Sequence, residues 1–268
     1  MEIKKNSFKE ALKSGATQWG LWSGLPDASC VEICAGAGFD WLLLDGEHSP
    51  LDVPKVLTQL QAVSAYDTHP VVRPVCGDVN LIKKLLDVGA QTLLVPMVDT
   101  AEQAAQLVKA MRYPPEGIRG LGTSLARAAG WGRVTGYLKE ANEQMCLLVQ
   151  VETVTALENL DKIVKVEGVD GVFIGPSDLS ASMGYIGNPG HPDVVAAIEK
   201  GLATIRAAGK AAGLLAVAPD LARAYAAKGA NFVAVGVDTM ILARETKHLA
   251  DSFKSDEPVE KAKLGAGY

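Results

Sequence analysis

Four short stretches of this chain carry side chains whose types and spacing suit chemistry. They are Asp45-Gly46-Glu47-His48, Val72-Arg73-Pro74, Gln150-Val151-Glu152-Thr153 and Gly175-Pro176-Ser177-Asp178. Each sits at the end of a short apolar run, where a buried segment comes to the surface. Glu152 and Asp178 belong to consecutive runs. Two carboxylates, completed by water and ligand oxygens, suit a hard cation such as Mg2+ or Mn2+. Zinc would prefer nitrogen or sulfur, which only His48 offers here. Two rival readings stay open: an acid/base pair without metal, and Asp178 as a simple helix N-cap. A Glu152 buried at a strand end without a neighbouring lysine is costly unless a cation compensates it.

Of the four histidines, only His48 directly follows an apolar run; His69 precedes one, His191 lies in a loop and His248 in the last helical stretch. The position of His48 beside Asp45 and Glu47 favours general acid/base work over a structural role. Arg73 has two readings: a salt bridge to Asp45 or Glu47, or a permanently charged donor to a developing oxyanion. The second is preferred. Backbone N–H groups of the Gly175-Pro176-Ser177-Asp178 turn offer a carboxylate site where a strand gives way to a helical turn. The alternative is a tight turn with no ligand. No apolar run contains a lysine, which argues against imine chemistry and for a metal-held enolate.

The elements that must position these residues follow an alternating pattern. Eight apolar runs (17–22, 41–44, 70–75, 92–96, 145–151, 171–175, 212–217 and 232–237) read as strands, and amphipathic stretches between them read as helices. Ser7 with Glu10, and Thr100 with Gln103, have capping-box spacing. Asp52, Asp78 or Asn80, Pro192, Pro219 and Asp238 open helices, and Gly15, Gly89, Gly209 and Gly229 close them. The strands are apolar on both faces, as in a parallel sheet buried between a core and covering helices. Eight such units in 268 residues predict a single (β/α)8 barrel over 1–253, followed by a polar tail, 254–268. An open doubly wound sheet is the rival, but the first turn, Ser23-Gly24-Leu25-Pro26, has no GxGxxG. The glycine- and arginine-rich stretch 113–136 interrupts the rhythm. Its part 119–133, with the first turn around 19–25, is expected to shape specificity.

Bulk properties narrow the field. The net charge of −5 is spread along the chain with no basic stripe, so a nucleic-acid partner is not expected. No apolar run has the length to cross a bilayer, and Met1–Lys5 does not resemble a signal peptide, so the expected location is the cytoplasm. Cys30, Cys34, Cys76 and Cys146 form no CxxC pair and are expected to be reduced core thiols.

The four motifs, in order and at this approximate spacing, resemble the HpcH/HpaI aldolases, which include the 4-hydroxy-2-oxoheptanedioate, 2-keto-3-deoxyrhamnonate and 2-dehydro-3-deoxyglucarate aldolases. The resemblance runs from about residue 9 to 249. It implies a barrel of the phosphoenolpyruvate/pyruvate type that cleaves 4-hydroxy-2-keto acids to pyruvate (or hydroxypyruvate) and an aldehyde, with a divalent ion (Mg2+, Mn2+ or Co2+) stabilising the pyruvate enolate. Glu152 and Asp178 would hold the metal. Gln150 and the Ser177–Asp178 backbone would hold pyruvate. His48 would be the acid/base and Arg73 the stabiliser of the enolate or aldol oxyanion. Asp87 would match an acidic residue that raises the basicity of the histidine. Some relatives have alanine in place of Ser177, so its hydroxyl adds a contact beyond the backbone. A homotrimer or homohexamer is also implied. The rival reading is a citrate-lyase-like or phosphoenolpyruvate-mutase-like lyase acting on a CoA thioester or a phosphonate.

Overall fold

A computed structural model describes residues 1–254. Eight parallel strands close on themselves in sequence order: β1 (Gln18–Ser23), β2 (Trp41–Asp45), β3 (His69–Arg73), β4 (Thr92–Val95), β5 (Cys146–Val151), β6 (Gly171–Ile174), β7 (Ala211–Leu215) and β8 (Phe232–Val237). Helices α1 (Ser7–Ser14), α2 (Ala28–Ala35), α3 (Val53–Val63), α4 (Val79–Asp87), α5 (Ala101–Met111) and α6 (Tyr137–Gln144) belong to the first half. Then come α7 (Val154–Glu158), α8 (Leu160–Ile163), α9 (Pro176–Ser182), α10 (Pro192–Ala207), α11 (Pro219–Ala227) and α12 (Asp238–Ser252). The expected polar tail lies, but for Lys254, outside the described residues.

Strand parity explains how the barrel interior becomes a site. Alternate residues point inward. On β2 these are Trp41, Leu43 and Asp45; on β3, His69, Val71 and Arg73; on β5, Cys146, Leu148 and Gln150. The inner apolar cluster contains Trp41, Leu43, Val71, Leu94, Leu148, Phe173 and Phe232. Thus each of these three strands crosses an apolar middle and ends inward on a polar group. Asp45 and Arg73 are level partners on adjacent strands. Two rings need room that only glycine gives: a Cβ on Gly20 would overlap Trp41, and one on Gly213 would overlap Phe232. α1 plugs the N-terminal end with Phe8 and Leu12, 2% and 4% exposed. The outer faces of the strands pack with the helices in a larger apolar cluster.

Local chemistry sets most helix boundaries. Asp27, Asp52, Asp78, Thr100 and Thr153 each cap a helix by accepting from the backbone, worth about 1 kcal/mol apiece. The Thr100–Gln103 capping box is present. The expected Ser7–Glu10 box is not. Asn6 is the cap, its side chain accepting from the Lys9 N–H, because its amide also reaches Thr92 Oγ1 at 3.0 Å and the Gln144 carbonyl at 3.0 Å. Ser7 has no such tie.

Segment 113–136 is ordered by turns and a 3₁₀ turn at Arg127–Ala129. Tyr113, Ala126 and Ala129 pack with Tyr137 and Ala141 of α6, a helix that the polar run 137–144 did not announce. Since it follows α5, the segment lies at the N-terminal rim of the barrel. Of the four thiols only Cys146 is buried; Cys30 and Cys34 are half-buried and Cys76 is exposed, which corrects the expectation of four core cysteines. α12 departs from the pattern of a covering helix: beyond Asp238 it is exposed along its length, including Met240, Ile241, Leu242 and Leu249. Among the described residues no helix is long and apolar enough to cross a membrane.

Candidate active site

A cleft of about 740 Å³ opens at the C-terminal rim. Its polar wall holds Asp45, His48, Arg73, Gln150, Ser177 and Asp178. The structure therefore brings together seven of the eight expected residues, with Glu152 behind Gln150. The eighth, Asp87, lies elsewhere.

Asp45 organises the β2 side. Its carboxylate accepts from Arg73 Nε at 2.9 Å and Nη2 at 2.7 Å, and from Trp22 Nε1 at 3.0 Å. The backbone N–H groups of Glu47 and His48 reach its Oδ1 at 3.0 and 3.3 Å. Burial alone would raise this carboxyl, but the Arg73 bonds and charge, with the other donors, hold it below the usual range. The result is a fixed loop that presents His48 outward, its side chain 69% exposed and Nε2 3.9 Å from Glu47 Oε2.

Arg73 makes the salt bridge of its first reading. It is 5% exposed, chelates Asp45, and stacks 4.6 Å from the Trp22 ring centroid. Its Nη1 lies 2.7 Å from Glu47 Oε2, a contact too poorly aligned to satisfy that oxygen as a hydrogen bond. Of five guanidinium N–H bonds, the two on Asp45 fix the plane, and the Nη edge remains directed at the cleft. Burial pushes the Glu47 carboxyl up, only partly offset by Arg73 and His48.

The β5–β6 side carries the second pair of carboxylates. Val151 pairs with Ile174 across the two strands, so Glu152 and Gly175 emerge side by side. A Cβ on Gly175 would come within 2.5 Å of Glu152 Oε2 and 2.9 Å of its Cβ. Glycine here lets the carboxylate lie against the turn that carries Asp178. Glu152 is 2% exposed. It accepts from the Met97 N–H at 2.9 Å and from the Gln150 amide, but among the described residues no cationic side chain pairs with it. Burial pushes its carboxyl up to about 6, against the Met97 and Gln150 bonds, and the charges of Asp178 and Glu47 push the same way. Met97 has φ of 56°, an unfavourable conformation for a non-glycine residue, at the position whose N–H bonds Glu152. Asp178 is the third residue of α9, whose N-cap position is Gly175. Its carboxylate is therefore not a helix cap. Ser177 and Asp178 precede the first α9 bond, Leu179 N–H to Gly175 C=O at 3.0 Å, leaving their own N–H groups outside the helix ladder. Gln150 is 3% exposed, and its Oε1 is buried without a partner.

Four carboxylates, of which Asp45 and Glu152 are buried, Glu47 is half-buried and Asp178 is exposed, thus stand against one guanidinium, and this excess of negative charge fits a divalent cation. Among the described residues, no three His, Cys, Asp or Glu side chains gather around one point. Glu152 and Asp178 would supply two ligands, leaving the rest of the coordination to water and substrate oxygens, as is usual for Mg2+.

Asp87 ends α4 at the opposite rim. Within one chain it cannot touch His48. Its Oδ1 accepts from Arg119 Nη2 at 2.6 Å, and that guanidinium is fully buried, 4.4 Å from the Tyr113 ring centroid. The stretch Arg119–Arg133, expected to shape specificity, sits at this same rim, away from the cleft of its own chain. Conversely, sequence reasoning overlooked Met97, and it took Asp238 only for a helix start. Asp238 is 6% exposed and binds the first turn. The one signal available was its place directly after the last apolar run.

The description HpcH/HpaI aldolase/citrate lyase matches residues 18–244. The chain is 60% identical over 262 residues, 98% of each chain, to a hydroxypyruvate/pyruvate aldolase of Pseudomonas aeruginosa. It is 58% identical over 259 residues, 97% of each chain, to a 4-hydroxy-2-oxo-heptane-1,7-dioate aldolase of Shigella flexneri. A crystal structure of a family protein from Burkholderia cenocepacia J2315 superposes with a TM-score of 0.90 at 38% identity, covering 94% of this chain and all of that one. With motifs, barrel and strand-end cleft in agreement, the chain belongs to the HpcH/HpaI aldolase/citrate lyase family.

Proposed function

We propose that this chain is a pyruvate aldolase of the metal-assisted class, reversibly cleaving 4-hydroxy-2-keto acids to pyruvate, or hydroxypyruvate, and an aldehyde. The observation that carries the reading is Glu152: a carboxylate buried at a strand end, beside Asp178, with no cation among the described residues to pair with it. The names of the similar enzymes from P. aeruginosa and S. flexneri support the same reaction type.

Glu152 and Asp178 would hold the ion, which we place among Mg2+, Mn2+ and Co2+. Bound there, it would supply Lewis acidity toward the keto acid. Gln150 and the N–H groups of Ser177 and Asp178 orient the keto-acid end, the buried Gln150 Oε1 having no protein partner while its amide nitrogen is held by Glu152. In the cleavage direction His48 accepts the C4 hydroxyl proton as the C3–C4 bond breaks. In the forward direction it returns that proton to the aldol oxyanion. Arg73 donates from its Nη edge to the oxygen that gains charge, and Asp45 keeps the guanidinium and the His48 loop in register. Removing Arg73 would leave Asp45 and Glu47 as buried, uncompensated charges.

The cleft lining contains one arginine and no lysine. A CoA thioester or a phosphonate brings phosphate or phosphonate charge that such a lining does not meet, so the rival lyase reading is not favoured. The direct test is to strip the protein with EDTA, restore Mg2+, Mn2+ or Co2+ singly, supply pyruvate or hydroxypyruvate with a panel of aldehydes, and identify adducts by mass. Aldol adducts that require the restored ion are expected. Full activity after chelation would refute the metal role, and cleavage of a CoA ester without any aldol product would favour the rival.

A further inference from the structure

We infer that Asp238 is a positioning residue that fixes the aldehyde-side wall of the cleft, and so sets how the acceptor aldehyde is held. The inference rests on the aldolase reading and deepens it.

The keto-acid end of the cleft is bounded by the tips of β5 and β6, and the acid/base side by the tips of β2 and β3. What remains for the aldehyde substituent is the arc from β7 through β8 to β1. Gly24, Leu25 and Pro26 line that arc with Leu215, Val237 and Thr239. It is an apolar wall with a single hydroxyl, and half of it is the short turn after β1. A turn rich in glycine and proline does not hold its own position, since its N–H groups need acceptors from outside.

Asp238 provides them. Its Oδ1 accepts from Gly24 N–H at 2.9 Å and Thr239 N–H at 2.6 Å, and its Oδ2 from Ser23 Oγ at 2.9 Å and Leu25 N–H at 3.1 Å. Four donors fill the capacity of a carboxylate, and three of them belong to three consecutive residues of the turn. A helix start needs no such reach: the Thr239 bond alone would serve it. Nor is Asp238 placed to act on the keto-acid end, since every one of its partners lies on β1, its turn or α12. Leu25 is also held from behind, its carbonyl accepting from Gln59 Nε2 at 2.9 Å. The turn is thereby fastened by both Asp238 and Gln59.

The two halves of the reaction separate this role from a general structural one. Exchange of pyruvate C3 protons with deuterated solvent requires only the keto-acid end and the base. Aldol addition also requires the aldehyde wall. In the Mg2+-loaded enzyme, with propanal as acceptor, Asp238→Asn should raise the aldehyde KM about tenfold or more while leaving the rate of pyruvate proton exchange within about twofold. The asparagine amide would turn N–H groups toward N–H groups of the turn. Ser23→Ala, which removes one of the four bonds, should give a smaller change of the same kind, about threefold. In hydrogen–deuterium exchange, the Gly24 and Leu25 amides of Asp238→Asn should exchange faster than those of the wild type, a readout that does not depend on activity. An unchanged aldehyde KM, an equal loss of exchange and addition, or unchanged amide protection would each overturn the inference. A wild-type enzyme that exchanges no pyruvate protons would instead refute the aldolase reading, and the amide protection would still decide the clamp.

Discussion

The same strands end in two different ways. At the N-terminal end of the barrel, His69 of β3 places Nε2 2.8 Å from Thr92 Oγ1 of β4, and Asn6 donates to the same oxygen at 3.0 Å. The hydroxyl accepts from the amide and hydrogen-bonds the ring of a neutral His69. Burial among Phe8 and the strand starts takes the imidazole down to about 3. Cys146, at the start of β5, is an equally buried thiol pushed up by its surroundings. Around His69 the polar groups are uncharged, and further out the charged ones pair, as Asp87 does with Arg119 and Lys9 with Asp170. At the other end the same β3 and β5 finish in Arg73 and Gln150. Carboxylates outnumber cations, one amide oxygen is orphaned, and Met97 is held in an unfavourable twist. One end reads as a closed structural network, and the other as a set of groups waiting for a ligand. Buried polarity therefore marks function only where it is left unbalanced.

The hardest blow to this contrast comes from neutralising the unbalanced end. Glu152→Gln or Asp178→Asn should lower aldol kcat/KM about a thousandfold or more and abolish the rise in melting temperature that Mg2+, Mn2+ or Co2+ gives the wild type. In EDTA the Glu152→Gln protein should melt at or above the wild type, because an uncompensated buried charge has gone. A marked drop instead would mean that Glu152 is an ordinary structural residue and that the two ends are not so different. His48→Ala should follow, with turnover reduced about a hundredfold or more and the metal-induced melting shift intact. Loss of both together would merge two roles that the geometry keeps apart.

The N-terminal end is tested by pH. His69 is neutral when folded and takes up a proton near 6.5 when unfolded, so the unfolded chain binds more protons below that value. Stability should be unaffected by this group above about pH 6.5. It should fall by about 1.4 kcal/mol per pH unit as pH drops toward 3. His69→Gln should flatten that slope in acid denaturation while leaving kcat at neutral pH unchanged. A His69 variant that unfolds normally yet loses catalysis would show that the two ends are coupled.

How much of this was legible beforehand follows from the same contrast. All eight strands were placed within two residues at either end, because buried parallel strands write themselves as unbroken apolar runs between strong caps. The residues on strand tips were legible for a related reason: parity carries the inward-facing polar group to the rim. Asp238 and Met97 were not. One acts through hydrogen bonds to a turn distant in sequence, and the other through a backbone angle that no side chain announces. Asn6 displaced Ser7 as a cap for a tertiary reason of the same kind. Asp87 is the opposite case. Resemblance supplied it, chemistry alone did not, and one chain leaves it at the wrong rim.

Asp87 gives the smallest expected effect and the finest cut through the comparison. Its carboxylate pairs with the buried Arg119, while Ile118, Leu121, Leu125 and Trp131, all on the same segment, stay exposed. If Asp87 tunes His48, as the resemblance implies, the two must come from different copies, because no bend of one barrel joins its opposite rims. Asp87→Asn should then move the pH–rate profile by up to about one unit, a cost of at most about tenfold at neutral pH. Part of its loss will appear as lowered stability from the unpaired guanidinium, which leaves the pH midpoint unaltered and so can be told apart. Mixing unfolded Asp87→Asn and His48→Ala chains and refolding them together supplies the decisive arm. A site pairing His48 of the first with Asp87 of the second contains both groups, so activity should exceed the sum of the two variants refolded alone. Activity no greater than that sum, with an unshifted pH profile, would return Asp87 to the structural end of the barrel and make the division between the two rims complete.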